Sequence, residues 1–360
     1  MTDFAHPRAA RTAALLTGLS LVAVLLAFTV VVLGAYVRLT AAGLGCPDWP
    51  GCYGHLTPLG AEQAASAGAS LPGTPLDVGK AWREMIHRYG ASTLGLTIAV
   101  IAALALARRR EHNLSPAYAV GLLALVIVQG ALGMLTVTWQ LKPLIVTLHL
   151  LFGLTTLSMA WWLWLTLRAA ARRAPAARGA WPASHAEQRA AALARALVAL
   201  GLVVLAVQIA LGGWTSSNYA AIACPDLPTC QNAWWPSADF RDAFVLWRAP
   251  SINYEGGVLG GAARVAIHFT HRLGALAASL ALLFAVLAVW RARTLDYARG
   301  AALLVLAALG LQLTIGLSMV HYGFPLPLAT AHNAGAALTL LAVIALYHRL
   351  HGRPDGRLRA

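Results

Sequence analysis

The chain has 360 residues, of which 59% are hydrophobic and only 11% charged, and it carries a net charge of +14. A soluble domain holds about 25% charged residues, so this composition excludes an ordinary water-soluble globule and points to a bilayer. The basic excess would suit nucleic acid, but its placement along the chain argues for topology instead.

Apolar runs of roughly 20 residues are membrane-helix candidates. Eight occur: Ala13–Tyr36, Ile86–Ala107, Ala117–Val137, Leu144–Leu167, Ala192–Trp214, Val265–Trp290, Ala298–Val320 and Leu328–Leu350. The first is too long, and followed by too many others, for a cleaved signal peptide. With the N-terminus inside, eighteen of the 27 Lys and Arg residues fall in cytoplasmic segments and seven on the opposite face. That is the positive-inside asymmetry, so both termini are expected in the cytoplasm, with some attraction to anionic lipid. The fold class expected is an all-α integral membrane protein, with eight transmembrane helices as two parallel-repeat four-helix bundles.

The repeat is visible in the chain itself. LGAYVRLTAAGLGCPDWPGC from Leu33 parallels LGGWTSSNYAAIACPDLPTC from Leu211. IHRYGAS at Ile86 parallels THRLGAL at Thr270, QGALGMLTV at Gln129 parallels QLTIGLSMV at Gln312, and VTLHLLFG at Val146 parallels ATAHNAGA at Ala329. The offset stays between 178 and 184 residues. An even number of spans returns each unit to its starting side, so the halves are expected to be parallel repeats. The domains expected are 1–168, a cytoplasmic linker at 169–191, and 192–360. Long outer loops, about 38–84 and 215–263, can cap each half.

Of the twelve histidines, His6, His55, His112, His185, His321, His348 and His351 fall in loops or at helix ends, where solvation accounts for them. His87, His149, His271 and His332 lie on the second, fourth, sixth and eighth helices, each within about two turns of the outer end. At about 1.5 Å per residue they share one depth. Each half thus offers two imidazoles to a bundle interior, the way helical bundles build cofactor sites. Zinc wants three or four ligands, whereas a haem needs only axial ones. Gly90, Gly153, Gly274 and Gly335 follow the four histidines by three or four positions, on the same helix face, leaving room for a flat macrocycle. Core packing or proton relay is the alternative for such histidines.

Arg88 and Arg272 follow their histidines directly and could pair with haem propionates, as could Arg38, Arg83 and Arg264; snorkelling to head groups is the competing account. The halves differ at one telling position. Glu84 and His87 form ExxH, whereas the aligned pair His268 and His271 form HxxH. A carboxylate beside a ligand can handle protons or stabilise positive charge, while a ligand without one suits an electron carrier. Glu84 could equally pair with Arg88 at i, i+4.

With these motifs together, the chain resembles the heme A synthases over essentially its whole length. The resemblance rests on ExxHR at Glu84–Arg88, HxxHR at His268–Arg272, the later His149 and His332, and a Cys pair in each outer loop. It implies an oxidoreductase that converts the C8 methyl of haem O, through a hydroxymethyl stage, to the formyl group of haem A for cytochrome oxidase. It implies that His87, His149 and catalytic Glu84 serve the substrate haem, and that His271 and His332 hold the iron of a resident haem b. The partners expected are haem O, the haem O synthase that supplies it, an electron donor the sequence does not identify, and membrane lipid, without nucleic acid. The setting expected is a bacterial plasma membrane with both haem sites toward the outer face. Cys46 with Cys52 and Cys224 with Cys230, each six apart in an oxidising compartment, are expected as disulfides, structural or redox-active. The alternatives are a dihaem b-type cytochrome oxidising quinol and, from another class, a carrier built on parallel repeats.

Overall fold

The computed structural model describes residues 7–68, 70, 75–109, 114–171, 184–249 and 252–351. His6 and His112 lie outside these residues, as does most of the segment expected to link the halves. Among the described residues the chain is helical: α1 (Pro7–Leu39), α2 (Pro58–Ser66), α3 (Val78–Ala107), α4 (Pro116–Thr138), α5 (Pro143–Ala171), α6 (His185–Ser217), α7 (Phe240–Ala243), α8 (Gly261–Arg291), α9 (Arg299–His321) and α10 (Leu326–His351). Eight of these, all but α2 and α7, are long and apolar enough to cross a membrane. Their outer surface carries exposed Leu25, Leu96, Ile127, Val203, Leu276 and Leu304. A surface of that kind is at home only against lipid, and the molecule is a multi-pass membrane protein.

All eight expected spans are present, but several helices extend beyond the apolar run. α3 starts at Val78, where Asp77 caps it by accepting from the Lys80 N–H at 2.9 Å. α6 starts at His185 behind a capping box in which Ser184 and Glu187 satisfy each other's backbone N–H. Hydropathy misses these turns because they carry charge. As a result the ends of the expected 169–191 linker are themselves helical.

α1 packs on α3 and α5, and α4 packs on the same two helices. α6 packs on α8 and α10, and α9 packs on those two. The rings meet through α1 with α10, α5 with α6, and α5 with α10. One apolar core runs through both, from Leu16, Ile98 and Leu157 to Leu282, Val305 and Leu346. Alanines such as Ala23, Ala102, Ala194 and Ala302 are buried in it, letting backbones approach closely where lipid offers no hydrophobic drive.

Polar contacts join the rings at the end bearing the disulfide loops. Arg38 Nη2 donates to the Ser216 carbonyl at 2.5 Å, and its guanidinium lies 3.9 Å over the Tyr219 ring. The segment after α7 crosses to the other ring, where the Tyr254 N–H donates to the Gln140 carbonyl at 3.0 Å. Lys142, almost fully buried, reaches the Arg248 carbonyl at 2.9 Å and sits 3.4 Å over the Trp247 ring.

Candidate active site: two histidine pairs beneath two disulfide caps

Each ring of helices gathers the same set of groups. In the first, His149 on α5 lies within electrostatic range of His87 on α3. In the second, His271 on α8 and His332 on α10 are related in the same way. All four imidazoles are half-buried, and Nδ1 of His87, His149 and His332 is shielded from solvent with no hydrogen-bond partner. Buried polar atoms are normally paired, so three unpartnered imidazole nitrogens at matched positions call for a further group.

The glycines show where room has been made. A Cβ on Gly34 of α1 would lie 3.0 Å from the His87 ring, and one on Gly212 of α6 would lie 3.1 Å from the His271 ring. Gly133 of α4 and Gly316 of α9 stand likewise, 3.2 and 3.0 Å from the rings of His149 and His332. Every histidine of the two pairs therefore lies against a glycine of a neighbouring helix. The glycines expected to make space on the histidines' own helices do something else. Gly90 admits Val30, Gly153 admits Gln129, Gly274 admits Gln208 and Gly335 admits Gln312. The three glutamines are functional candidates that motif reasoning misses. Gln129 Nε2 donates to the His149 carbonyl at 2.9 Å, and Gln312 Nε2 stands 3.3 Å from His332 Nε2. For these two a signal exists in the chain: each opens one of the aligned repeats on α4 and α9.

Above each pair sits a disulfide loop, and both expected bridges form. Cys46–Cys52 and Cys224–Cys230 have Cα atoms 4.7 Å apart. All four cysteines are buried. In each loop an aspartate gathers the turn that follows. Asp48 accepts from the N–H groups of Tyr53 and Gly54, and Asp226 from those of Gln231 and Asn232. The Thr229 hydroxyl also donates to Asp226, and with the backbone bonds holds its carboxyl down to about 2.

The HR motifs fasten these loops to the helices. Arg88 donates to the carbonyls of Asp48, Pro50 and Gly51, and Arg272 to those of Cys224, Asp226 and Thr229. The two arginines expected to pair with propionates thus engage loop carbonyls as placed. Glu84 is buried and ties the same assembly together. Its Oε2 accepts from the Cys46 N–H at 2.9 Å, and its Oε1 pairs with Arg88 at 2.5 Å. His268 is the counterpart of Glu84: Nδ1 accepts from the Cys224 N–H at 3.3 Å, and Arg272 Nε lies 3.4 Å from Nε2. Arg83 turns back to the Gly79 carbonyl.

Two imidazole pairs on membrane helices, each histidine flanked by a glycine of a neighbouring helix, make this a multi-pass membrane protein with two matched candidate cofactor sites. The family of cytochrome oxidase assembly proteins designated COX15-CtaA matches residues 17–344. Heme A synthase of Shewanella oneidensis is 41% identical over 337 residues, covering 93% of this chain and 96% of that protein. Heme A synthase of Rhizorhabdus wittichii is 29% identical across 97% of this chain and 98% of its own, and that of Paracoccus denitrificans is 29% identical across 88% and 83%. The chain belongs to the heme A synthase family, and it is an oxidoreductase of cytochrome oxidase assembly.

Proposed function

We propose that the two rings divide the labour of haem A synthesis. Residues 1–168 hold the substrate, haem O, between His87 and His149. Residues 192–360 hold a resident haem b between His271 and His332. The observation that carries this reading is the matched pair of glycine-flanked histidine sites, only one of which has a buried glutamate on the helix beneath its cap, where the other has a histidine. The donor set suits the group: neutral imidazoles are axial haem ligands, and three of the four have an Nδ1 with no partner.

The reaction turns the C8 methyl of haem O, by way of a hydroxymethyl, into a formyl group. Held by His271 and His332, haem b would supply one-electron redox chemistry. What this chain contributes is position and proton handling. His87 and His149 fix the plane and depth of the substrate, and the loop closed by Cys46–Cys52 covers it from water. Glu84 stands at the junction of loop and helix, paired with Arg88, where a carboxylate can move a proton or stabilise positive charge. Arg88 and Arg272 hold the caps in place, and any propionate would meet them through donors that the loop carbonyls leave over. Both termini face the cytoplasm of a bacterial cell, on the strength of the Lys and Arg asymmetry, which sets the caps and haem sites on the outer side. A haem O synthase and an electron donor are the partners this chemistry requires.

Haem extraction and chromatography of the purified membrane protein test the reading. Haem B accompanied by haem O or haem A is the expected content. His271→Ala and His332→Ala should each abolish the low-spin haem b spectrum, while His87→Ala and His149→Ala should keep it. A haem-free wild-type protein, or a haem b spectrum that survives both second-half variants, overturns the assignment.

A further inference from the structure

The two caps share one more feature, which neither histidine site accounts for. The chain leaves each bridged loop through a pair of backbone hydrogen bonds, Cys52 with His55 and Cys230 with Ala233. The residue that follows is apolar and bare in both caps. Leu56 is 81% exposed, and Trp234, 178 residues later, is 75% exposed. Leu59 beside the first and Trp235 beside the second are exposed as well. Large apolar side chains left this open, at aligned positions of two repeats, mark an interaction surface.

Their neighbours fix the depth of both tips. The Trp235 ring packs edge-on against Phe269 in the third turn of α8, with 5.3 Å between centroids. The Tyr89 hydroxyl, from the fourth turn of α3, donates to the Leu56 carbonyl at 2.8 Å. Outward of these contacts the two helices carry Arg264, and Lys80 with Arg83. Inward of them charge stops. Arg88 and Arg272 are turned to the cap carbonyls, and no charged residue follows in α3, or in α8 before Arg291. On α8, exposed Leu273, Leu276, Leu280, Phe284 and Leu287 continue from Phe269 at helical spacing. On α3, exposed Leu96 and Val100 lie below Tyr89. Both tips therefore hang where the helix surface changes from charged to lipid-facing, and each is continuous with the lipid-facing stripe. Tryptophan and tyrosine favour that level, since the ring is apolar and its N–H or O–H stays wet.

We propose that the two caps rest on the membrane, with Leu56 and Leu59 of the first and Trp234 and Trp235 of the second seated among the lipid head groups at the disulfide end. Lipid then holds each cap at its rim, while Arg88 and Arg272 hold it from beneath. Spin labels test this in the full-length protein, reconstituted in nanodiscs of phosphatidylethanolamine and phosphatidylglycerol. All four cysteines are committed to the two bridges, so a single introduced cysteine takes the label alone. Leu56→Cys and Trp234→Cys label the tips, and Leu276→Cys gives the hydrocarbon reference. Gln63→Cys gives the water reference, on α2, whose Glu62 accepts from Trp82 Nε1 further out along α3. Oxygen concentrates in lipid and a nickel chelate stays in water. Oxygen should relax both tip labels more than the chelate does, with an oxygen-to-chelate ratio between those of the two references. Tip labels that match Gln63→Cys would put the caps in water and overturn the proposal. Labels shielded from both reagents would overturn it too, since protein, a second copy or another partner, would then cover the tips. Trp234→Phe with Trp235→Phe gives a separate reading should a label disturb its cap. Lipids brominated near the head group should quench a larger fraction of the wild-type fluorescence than of the variant's, and equal fractions would remove the second tip from the bilayer.

Discussion

The two disulfide caps are the most alike parts of the two halves and differ in how they are anchored. Both are CPDxPxC loops closed by a bridge, both have an aspartate collecting backbone N–H groups, and both take an arginine from the helix beneath. The first is latched by Glu84 and the second by His268, each accepting the N–H of the loop's first cysteine. The structural task is the same, so an imidazole is sufficient for it. A buried carboxylate needs Arg88 to offset its desolvation, whereas a neutral imidazole needs no counter-ion. The costlier group at the first cap calls for a reason beyond holding a loop, and the proposed chemistry on the substrate would supply one.

The sharpest way to break this comparison is Glu84→Gln. Glutamine keeps an acceptor for the Cys46 N–H but loses the charge that pairs with Arg88, and with it the proton-transfer capacity. If Glu84 acts on the substrate, haem b and haem O should both remain bound while haem A formation falls by ~10²–10⁴-fold, the usual contribution of a general acid or base. If Glu84 only latches the loop, bound haem O should fall instead and product should track whatever haem O remains. Product per bound haem O separates the two, and a wild-type ratio would end the catalytic role.

A smaller effect is expected from the bridges. Cys46→Ser with Cys52→Ser should leave haem b in place, because the ligands proposed for it belong to the other ring, and weaken activity through a looser first cap. Cys224→Ser with Cys230→Ser should do the reverse, loosening haem b and sparing haem O binding. Both loops are short, so each bridge constrains its cap more than it stabilises the whole fold. Haem b and haem O contents measured in the same preparations check both arms. Loss of haem b from the first pair's variant contradicts the two-site arrangement.

How far these features are legible in the chain follows from their physics. The eight spans can be read because an apolar run of membrane length is rarely compatible with anything but a bilayer. Their ends cannot: the first two turns of α3 carry Lys80, Arg83 and Glu84, which hydropathy assigns to a loop. The histidines stand out because they recur at one offset and one depth. Gln208 does not, since its repeat partner is Val30 and a lone amide in an apolar helix looks like any satisfied core residue. Gly34 and Gly212 lie inside the aligned repeats, yet only the packing of α1 on α3 and of α6 on α8 shows that they face histidine rings. That Arg88 and Arg272 hold loop carbonyls is not legible, because one-dimensional reasoning cannot see a loop folding back to present them. Their sharing of that fate in both halves is what marks the caps as a built feature.

The smallest expected effect concerns the caps alone. Thr229 occupies the place that Gly51 holds in the first loop, and its hydroxyl gives Asp226 a donor for which Asp48 has no equivalent side chain at that position. The Thr229 bond, together with the N–H groups of Asn232 and Gln231, depresses the Asp226 carboxyl to about 2 from its ordinary 3.8. A carboxyl whose pKa is lower folded than unfolded contributes its stabilisation above the unfolded value and loses it as pH falls through the folded one. The second cap should therefore be unaffected above about pH 4 and loosen between about 4 and 2. The rate at which a phosphine reductant opens Cys224–Cys230 measures that loosening, because phosphines stay active in acid. Asp226→Asn should open faster than wild type at neutral pH, and the two should converge as pH approaches 2. Rates that stay apart by the same ratio down to pH 2 would mean that the charge of Asp226 has no part in holding the loop, leaving the arginine and the histidine beneath it as the whole anchor.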